Sequence, residues 1–160
     1  MTEAEFTGFY KASAHRLRQF LTRALSDASL GEDLAQEAYI RFLNSRGAGL
    51  VNEEATKYLY RIAGNLVHDH WRRGGVKIED LGAAEMGIPP PRMEEGDVHA
   101  ALTELPPAQR SLLWLAYVEG YNHKEIAEIM KVNPASVKVL LSRARERFLK
   151  IFRSGVEMPR

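Results

Sequence analysis

A chain of 160 residues with 22 Lys/Arg, 21 Asp/Glu and a net charge of +1 has the length of one domain or two small ones, and its near-neutral total argues against indiscriminate polyanion binding. It has no cysteine, which excludes disulfides, thiolate metal sites and a cysteine nucleophile. No apolar run approaches the ~20 residues needed to span a bilayer, and the start MTEAEFTGFYKASAHR lacks the basic and apolar regions of a signal peptide, so a soluble, cytoplasmic protein is expected.

Helical periodicity begins at once. A first helix is expected over about 2–25, with Phe6, Phe9, Leu17, Phe20, Leu21 and Ala24 as its apolar stripe. A second, over about 30–46, buries Leu34, Ala35, Ala38, Tyr39, Phe42 and Leu43. Its other half holds Asp33, Gln36, Glu37, Arg41 and Asn44, with Ile40 at the centre. An aliphatic residue amid a polar face is either an ordinary exposed side chain or part of a protein-contact surface. The loop 46–53 carries two glycines, which permit backbone paths that other residues resist.

A third helix is expected over about 53–73, with Ala55, Leu59, Ile62, Ala63 and Leu66 buried. Its other face interleaves aromatic and basic groups: Lys57, Tyr60, Arg61, Asn65, His68, Trp71 and Arg72. Basic groups can follow a nucleic-acid backbone while aromatic faces stack unpaired bases. Alternatively, Tyr60 and Trp71 pack on a neighbouring element. His68 and His70 are two apart on a helix and point to different sides, so a shared metal is not expected.

Residues 79–97, EDLGAAEMGIPPPRMEEGD, hold six acids, one arginine, three glycines and three consecutive prolines. They read as an acidic linker rather than core. It separates two mildly basic blocks: 11 Lys/Arg against nine acids over 1–78, and 10 against six over 98–160.

After the linker, a helix is expected over 105–122, opened by Leu105-Pro106-Pro107 and ended by Gly120 as a C′ glycine. Trp114 reads as core. Asn122 can cap the next helix, with Glu125 as its capping-box partner, and Ile126, Ala127, Ile129 and Met130 form the buried side. Lys131-Val132-Asn133 is a short turn. Asn133 then caps, and Pro134 opens, a last helix that runs to about Phe152. Val137, Leu141, Ala144, Phe148 and Ile151 form its stripe; Lys138, Arg143, Arg145, Arg147, Lys150 and Arg153 lie off it, against the single acid Glu146.

Two capped helices joined by a three-residue turn make a helix-turn-helix, whose second helix enters the major groove. Lys138, Ser142 and Arg143 are candidate base readers. Lys124 and Arg145 suit phosphates. Val139 lies nearly opposite the stripe, where it is either an isolated exposed valine or a contact for a thymine methyl. No P-loop, nucleophile constellation or paired catalytic acids occur at recognisable spacing, so neither enzymatic activity nor a cofactor is expected.

Four stretches, 32-EDLAQEAYIRF-42, 58-YLYRIAGNLVHDHWRR-73, 105-LPPAQRSLLWLAYVEGYNHKEIAEIM-130 and 137-VKVLLSRARERF-148, together resemble the extracytoplasmic-function (ECF) sigma factors of bacterial RNA polymerase. The resemblance spans the whole chain. It implies an all-α protein of two small helical domains: 1–78 as region 2, 79–97 as linker, 98–153 as region 4 and 154–160 as tail. Asp33, Gln36, Glu37, Ile40 and Arg41 would meet the clamp helices of core polymerase. The third helix and the loop 46–53 would hold the −10 non-template strand, with Asn65 at a base-contact position. Ser136 would join Lys124, Lys138, Val139, Ser142, Arg143 and Arg145 at the −35 element. An anti-sigma factor is an implied partner. The chain departs from the family at Val139-Leu140, where Ser-Arg is frequent, at His123, where an aromatic is common, and at Gly49-Leu50. Two other readings remain: a sigma mimic that only sequesters an anti-sigma factor, and a helix-turn-helix regulator that acts without polymerase.

Overall fold

The computed structural model describes residues 1–74 and 98–157; the whole of the expected linker, 79–97, and the last three residues of the expected tail, 158–160, lie outside them. Among the described residues all regular structure is helical.

The first helix, α1 (Glu3–Leu25), starts at a capping box. The Glu5 amide donates to Thr2 Oγ1 at 3.1 Å, and the Thr2 amide donates to Glu5 Oε1 at 2.8 Å. Two of the orphan amides at the helix start are thereby satisfied. Asp27 caps α2 (Ala28–Leu43) by accepting from the Leu30 amide at 3.0 Å. This cap explains why α2 begins two residues before the expected 30. It ends at Leu43 rather than 46, because Ser45 instead caps a 3₁₀ turn, Arg46–Gly49. Gly47 is required there: a Cβ would fall 2.7 Å from the Phe42 ring and 2.8 Å from that of Tyr58. The third helix, α3, covers Asn52–Arg73.

These helices enclose Leu17, Phe20, Leu21, Ala38, Phe42, Leu59, Ala63 and Leu66. Rings from α1 and α2 close one end; Phe9 stacks on Phe42 at 4.9 Å and meets Tyr39 edge-on at 6.2 Å.

The C-terminal half contains α4 (Val98–Glu104), which the sequence reading did not separate from the linker edge. The single helix expected over 105–122 is shorter and changes pitch. An α-helical part, α5 (Pro107–Leu113), runs into a π turn, Trp114–Val118. Its wider ring is seen where the Glu119 amide donates to the Trp114 carbonyl at 3.0 Å. Gly120, at φ +77°, then ends the segment.

Helix α6 (His123–Met130) has the expected capping box between Asn122 and Glu125, with bonds of 2.8 and 3.0 Å. Lys131 takes the left-handed conformation at φ 60°. Asn133 accepts from the Ala135 amide at 2.9 Å and opens α7 (Pro134–Glu157). Leu140 is buried as well as Val137, Leu141 and Ala144, so the stripe of α7 is wider than spacing alone suggested.

The two helical units share one continuous apolar core. Helix α6 lies on α3, and α5 lies on α1. The backbones come close at Gly64 of α3, where a Cβ would sit 2.0 Å from the Ile129 carbonyl oxygen. Arg110 of α5, 8% exposed, threads back to α1: it donates to the Arg23 carbonyl at 2.7 Å and to Ser26 Oγ at 2.8 Å. The Arg23 guanidinium lies 5.1 Å over the Trp114 ring.

Candidate nucleic-acid interface

Three faces carry the candidate side chains. The first is the outer face of α7. Sealing Val137, Leu140, Leu141 and Ala144 inward turns Lys138, Val139, Ser142 and Arg143 out to solvent. Val139 is 49% exposed, which matches its expected place opposite the stripe. Ser136 is half-buried at the helix start, and Lys124 is exposed on α6. Arg145 is exposed and donates to the Tyr117 hydroxyl at 3.1 Å, which anchors one cation of this face to the π turn. The seven side chains therefore occupy the helix-turn-helix and its outer surface. Together they present cations, hydroxyls and one aliphatic group suited to groove edges and phosphates.

The second face is on α2. Asp33, Gln36, Ile40 and Arg41 are exposed and Glu37 is half-buried. Arg41 pairs with Glu37 at 2.8 Å. Ile40 is 53% exposed between them.

The third face is on α3, and here the expected exposure is corrected at two positions. Trp71 is 8% exposed, and its indole Nε1 donates to the Ala24 carbonyl at 3.1 Å. It is a core residue that joins the ends of α1 and α3, because that bond and the apolar contacts satisfy both the polar tip and the ring. Tyr60 is 1% exposed. Its ring meets Phe20 and Tyr121 edge-on at 5.4 and 5.8 Å. Its hydroxyl donates to Glu119 Oε2 at 2.8 Å. Burial, and then the Glu119 carboxylate, push its ionisation far above the usual phenol range.

The remaining members are arranged differently. Arg61 and Arg72 are exposed, while Asn65 and His68 are half-buried. Arg72 faces Asp69 at 3.6 Å. Lys57 is engaged across the unit boundary, with Nζ 2.8 Å from Glu125 Oε2. A hydrogen bond with Glu125, followed by its charge, raises the lysine pKa. The same bond with Lys57, followed by the Asn122 amide, lowers that of Glu125.

Sequence reasoning missed Glu119. It follows the π turn, and its carboxylate is 3% exposed. It accepts from Arg16 Nη2 at 2.7 Å, from the Tyr60 hydroxyl at 2.8 Å and from Trp114 Nε1 at 3.1 Å. A glutamate at a helix end before glycine reads as a solvated charge; only the change of pitch over 114–118 turns it inward. Gly64 did carry a signal, since a glycine inside a helix costs about 1 kcal/mol relative to alanine and asks for a packing reason.

The Glu125 pairing has a pH consequence. A carboxylate whose folded pKa is depressed contributes stability above its ordinary value and loses it as pH falls through the lowered one. Glu125→Gln is expected to unfold at lower urea than the natural chain at about pH 7, with the gap closing as pH falls below the ordinary carboxylate range; paired urea titrations from neutral into acid check it.

Comparison with known proteins agrees with this arrangement. Residues 9–76 match the sigma-70 region 2 family, and residues 95–148 match sigma-70 region 4. The ECF RNA polymerase sigma factor SigM of Bacillus subtilis is 28% identical, over 98% of this chain and 98% of its own. SigX of the same organism is 26% identical, over 99% of this chain and 87% of its own. Among solved structures, the sigma factor RpoE from Bartonella quintana, crystallised in complex with the anti-sigma factor NepR, shares the fold. It has a TM-score of 0.67 and 21% identity, over 92% of this chain and 96% of that one. With both family regions in order along one all-helical chain, and with full-length relatives of one kind, the protein belongs to the extracytoplasmic-function sigma factors.

Proposed function

We propose that this sigma factor divides its work between two units, residues 1–78 as region 2 and residues 98–153 as region 4. As a sigma factor it binds core RNA polymerase and directs it to promoters. On our reading, α7 enters the −35 major groove, with Lys138, Val139, Ser142 and Arg143 toward base edges and Lys124, Ser136 and Arg145 toward the backbone. Asp33, Gln36, Glu37, Ile40 and Arg41 of α2 meet the clamp of core polymerase. Lys57, Tyr60, Arg61, Asn65, His68 and Arg72 of α3, with the loop 46–53, take the −10 strand. Trp71 supports this face from the core. The protein acts in the cytoplasm with its polymerase and is not itself an enzyme. Its activity is held by an anti-sigma factor, which parallels the complex in which the related RpoE was solved.

The observation that carries this reading is the doubly capped helix-turn-helix with its polar face turned to solvent. The test is multi-round transcription of fragmented genomic DNA by purified core polymerase, with and without the protein, reading the 5′ ends. New starts that share two spaced sequence elements support the reading. No new starts from folded protein favour a mimic that only sequesters an anti-sigma factor. New starts are also not expected from a regulator that works at an operator alone.

The α2 face makes its own prediction. Ile40 is the central apolar group of an otherwise polar patch, and buried apolar centres dominate interface energetics. Ile40→Asp is expected to weaken binding to core polymerase at least tenfold, or more than about 1.4 kcal/mol. Its thermal midpoint should be unchanged, because the side chain is exposed in the free protein. Titration of labelled sigma with core polymerase measures this; undiminished affinity removes Ile40 from the interface.

A further inference from the structure

The C-terminal unit holds an apolar cleft that the promoter reading leaves unused. It opens between α4, the π turn and the second half of α7, and its volume is about 410 Å³, within the roughly 300–1,000 Å³ of small-molecule sites. Leu102, Trp114, Tyr117, Val118, Phe148 and Leu149 wall it, and Arg145 is the one charged group among its described lining residues. Tyr117, Val118 and Leu149 are 63%, 44% and 41% exposed. Large apolar side chains scattered singly on a surface are ordinary, but three that converge on one cleft mark a binding surface.

The π turn builds one wall. Its change of pitch sends Glu119 inward and leaves Tyr117 and Val118 outside, and such turns recur at functional sites. On the opposite wall Phe148 is backed by Phe152, stacked on it at 5.8 Å, so the cleft is preformed. At its lip Arg145 Nη1 donates to the Tyr117 hydroxyl at 3.1 Å. No carboxylate pairs with Arg145 among the described residues. A guanidinium has five N–H donors in a planar fork, so Arg145 has others to offer beside the Tyr117 O–H. One oxyanion at the lip can accept from both residues.

We propose that this cleft binds a single-chain aliphatic carboxylate, a medium-chain fatty acid in chemical class. The chain lies against Leu102, Trp114, Phe148 and Leu149, and Arg145 and Tyr117 hold the carboxylate. Charge and shape carry the match: one cation at the edge of an otherwise apolar cleft suits a ligand with one anionic end. An uncharged chain leaves the guanidinium without an anion, and a cationic head is repelled by it. The site needs neither DNA nor polymerase, so it goes beyond the promoter reading. Arg145, which that reading gives to a DNA phosphate, is the one residue the two share, and the titrations below are therefore made without DNA.

Decanoate, kept below its micelle concentration, is the probe. The chain has two tryptophans, and Trp71→Phe leaves only Trp114, on the wall of the cleft. Fluorescence of that full-length variant therefore reports occupancy of this site. Decanoate is expected to give a saturable change with one ligand bound per chain. Losing two buried methylenes should weaken octanoate roughly 15-fold. Decanol and decyltrimethylammonium should each bind roughly tenfold or more weakly than decanoate. Adding Arg145→Gln should weaken decanoate by a similar factor and leave decanol unchanged; a merely structural role for Arg145 would weaken both.

A titration that does not saturate, equal binding of decanol and decanoate, or an Arg145→Gln variant that binds decanoate as its parent does overturns the proposal. Leu149→Glu separates the other occupants, because an exposed side chain can take a charge without loss of the fold. If the free chain sediments as a dimer that Leu149→Glu disperses, a second copy fills the cleft. If decanoate does not bind and Leu149→Glu loses affinity for core polymerase, a segment of the polymerase fills it. Either result also overturns the carboxylate site.

Discussion

Trp71→Ala is expected to cost about 3–5 kcal/mol of folding stability, out of the roughly 5–15 kcal/mol that a domain has in total. The reason is its place in the core. The indole is 8% exposed and joins the C-terminal end of α3 to the last turn of α1 through the Ala24 carbonyl. Alanine leaves both a cavity and an unpaired carbonyl. Trp71→Phe restores most of the volume and loses only the hydrogen bond, an expected cost of about 1 kcal/mol.

The contrast with a strand-stacking role is sharp. A stacking tryptophan would be dispensable for folding, and its alanine variant would lose ~1–3 kcal/mol of single-strand affinity per base. Urea denaturation of the two variants decides the matter together with permanganate reactivity of the −10 region in open complexes. The core role predicts an unstable Trp71→Ala and a Trp71→Phe that opens promoters normally. A stable Trp71→Ala with lost permanganate reactivity would return the residue to the strand face.

That correction shows where the sequence is legible and where it is not. Caps and turns are local. Asn122 with Glu125, and Asn133 before Pro134, act within three residues, and each is read directly from the letters. The helix-turn-helix and the outward Val139 follow for the same reason. A helical wheel, however, divides a helix into an apolar and a polar face as though it had one neighbour. Helix α3 has two: α1 and α2 take one side, and α6 takes much of the other. Tyr60 and Lys57 are thus on the polar side of the wheel and yet are engaged with the C-terminal unit. Glu119 is illegible for a different reason. Its direction depends on the π turn at 114–118, and neither the apolar spacing nor the C′ glycine reveals an extra residue in a turn. The acidic linker conveys separation by composition, whereas the packing of α6 on α3 is a property of surfaces that meet only in the fold.

Arg143 carries the other large effect, and its consequence differs in kind from that of its basic neighbours. It is exposed on the side of α7 where Val139 and Ser142 also emerge, one turn away from Val139. A guanidinium there can reach a guanine edge with two parallel bonds, worth ~1–3 kcal/mol of discrimination against the wrong base. Arg143→Ala is therefore expected to lower transcription from a −35-dependent promoter by roughly 5- to 150-fold, and to flatten the preference at one −35 base pair while leaving the others intact. Lys124 lies off that line on α6, where a phosphate is the natural partner. Lys124→Ala should weaken binding evenly across sequences and reduce the salt dependence by about one unit of slope. Transcription from a promoter set in which each −35 base pair is substituted in turn, repeated at several salt concentrations, separates the two. A uniform loss with Arg143→Ala would make it a backbone contact, and unchanged activity would remove it from the interface. Val139 then becomes the sharper reader, since beside a lost guanidinium its methyl groups are left to sense a thymine.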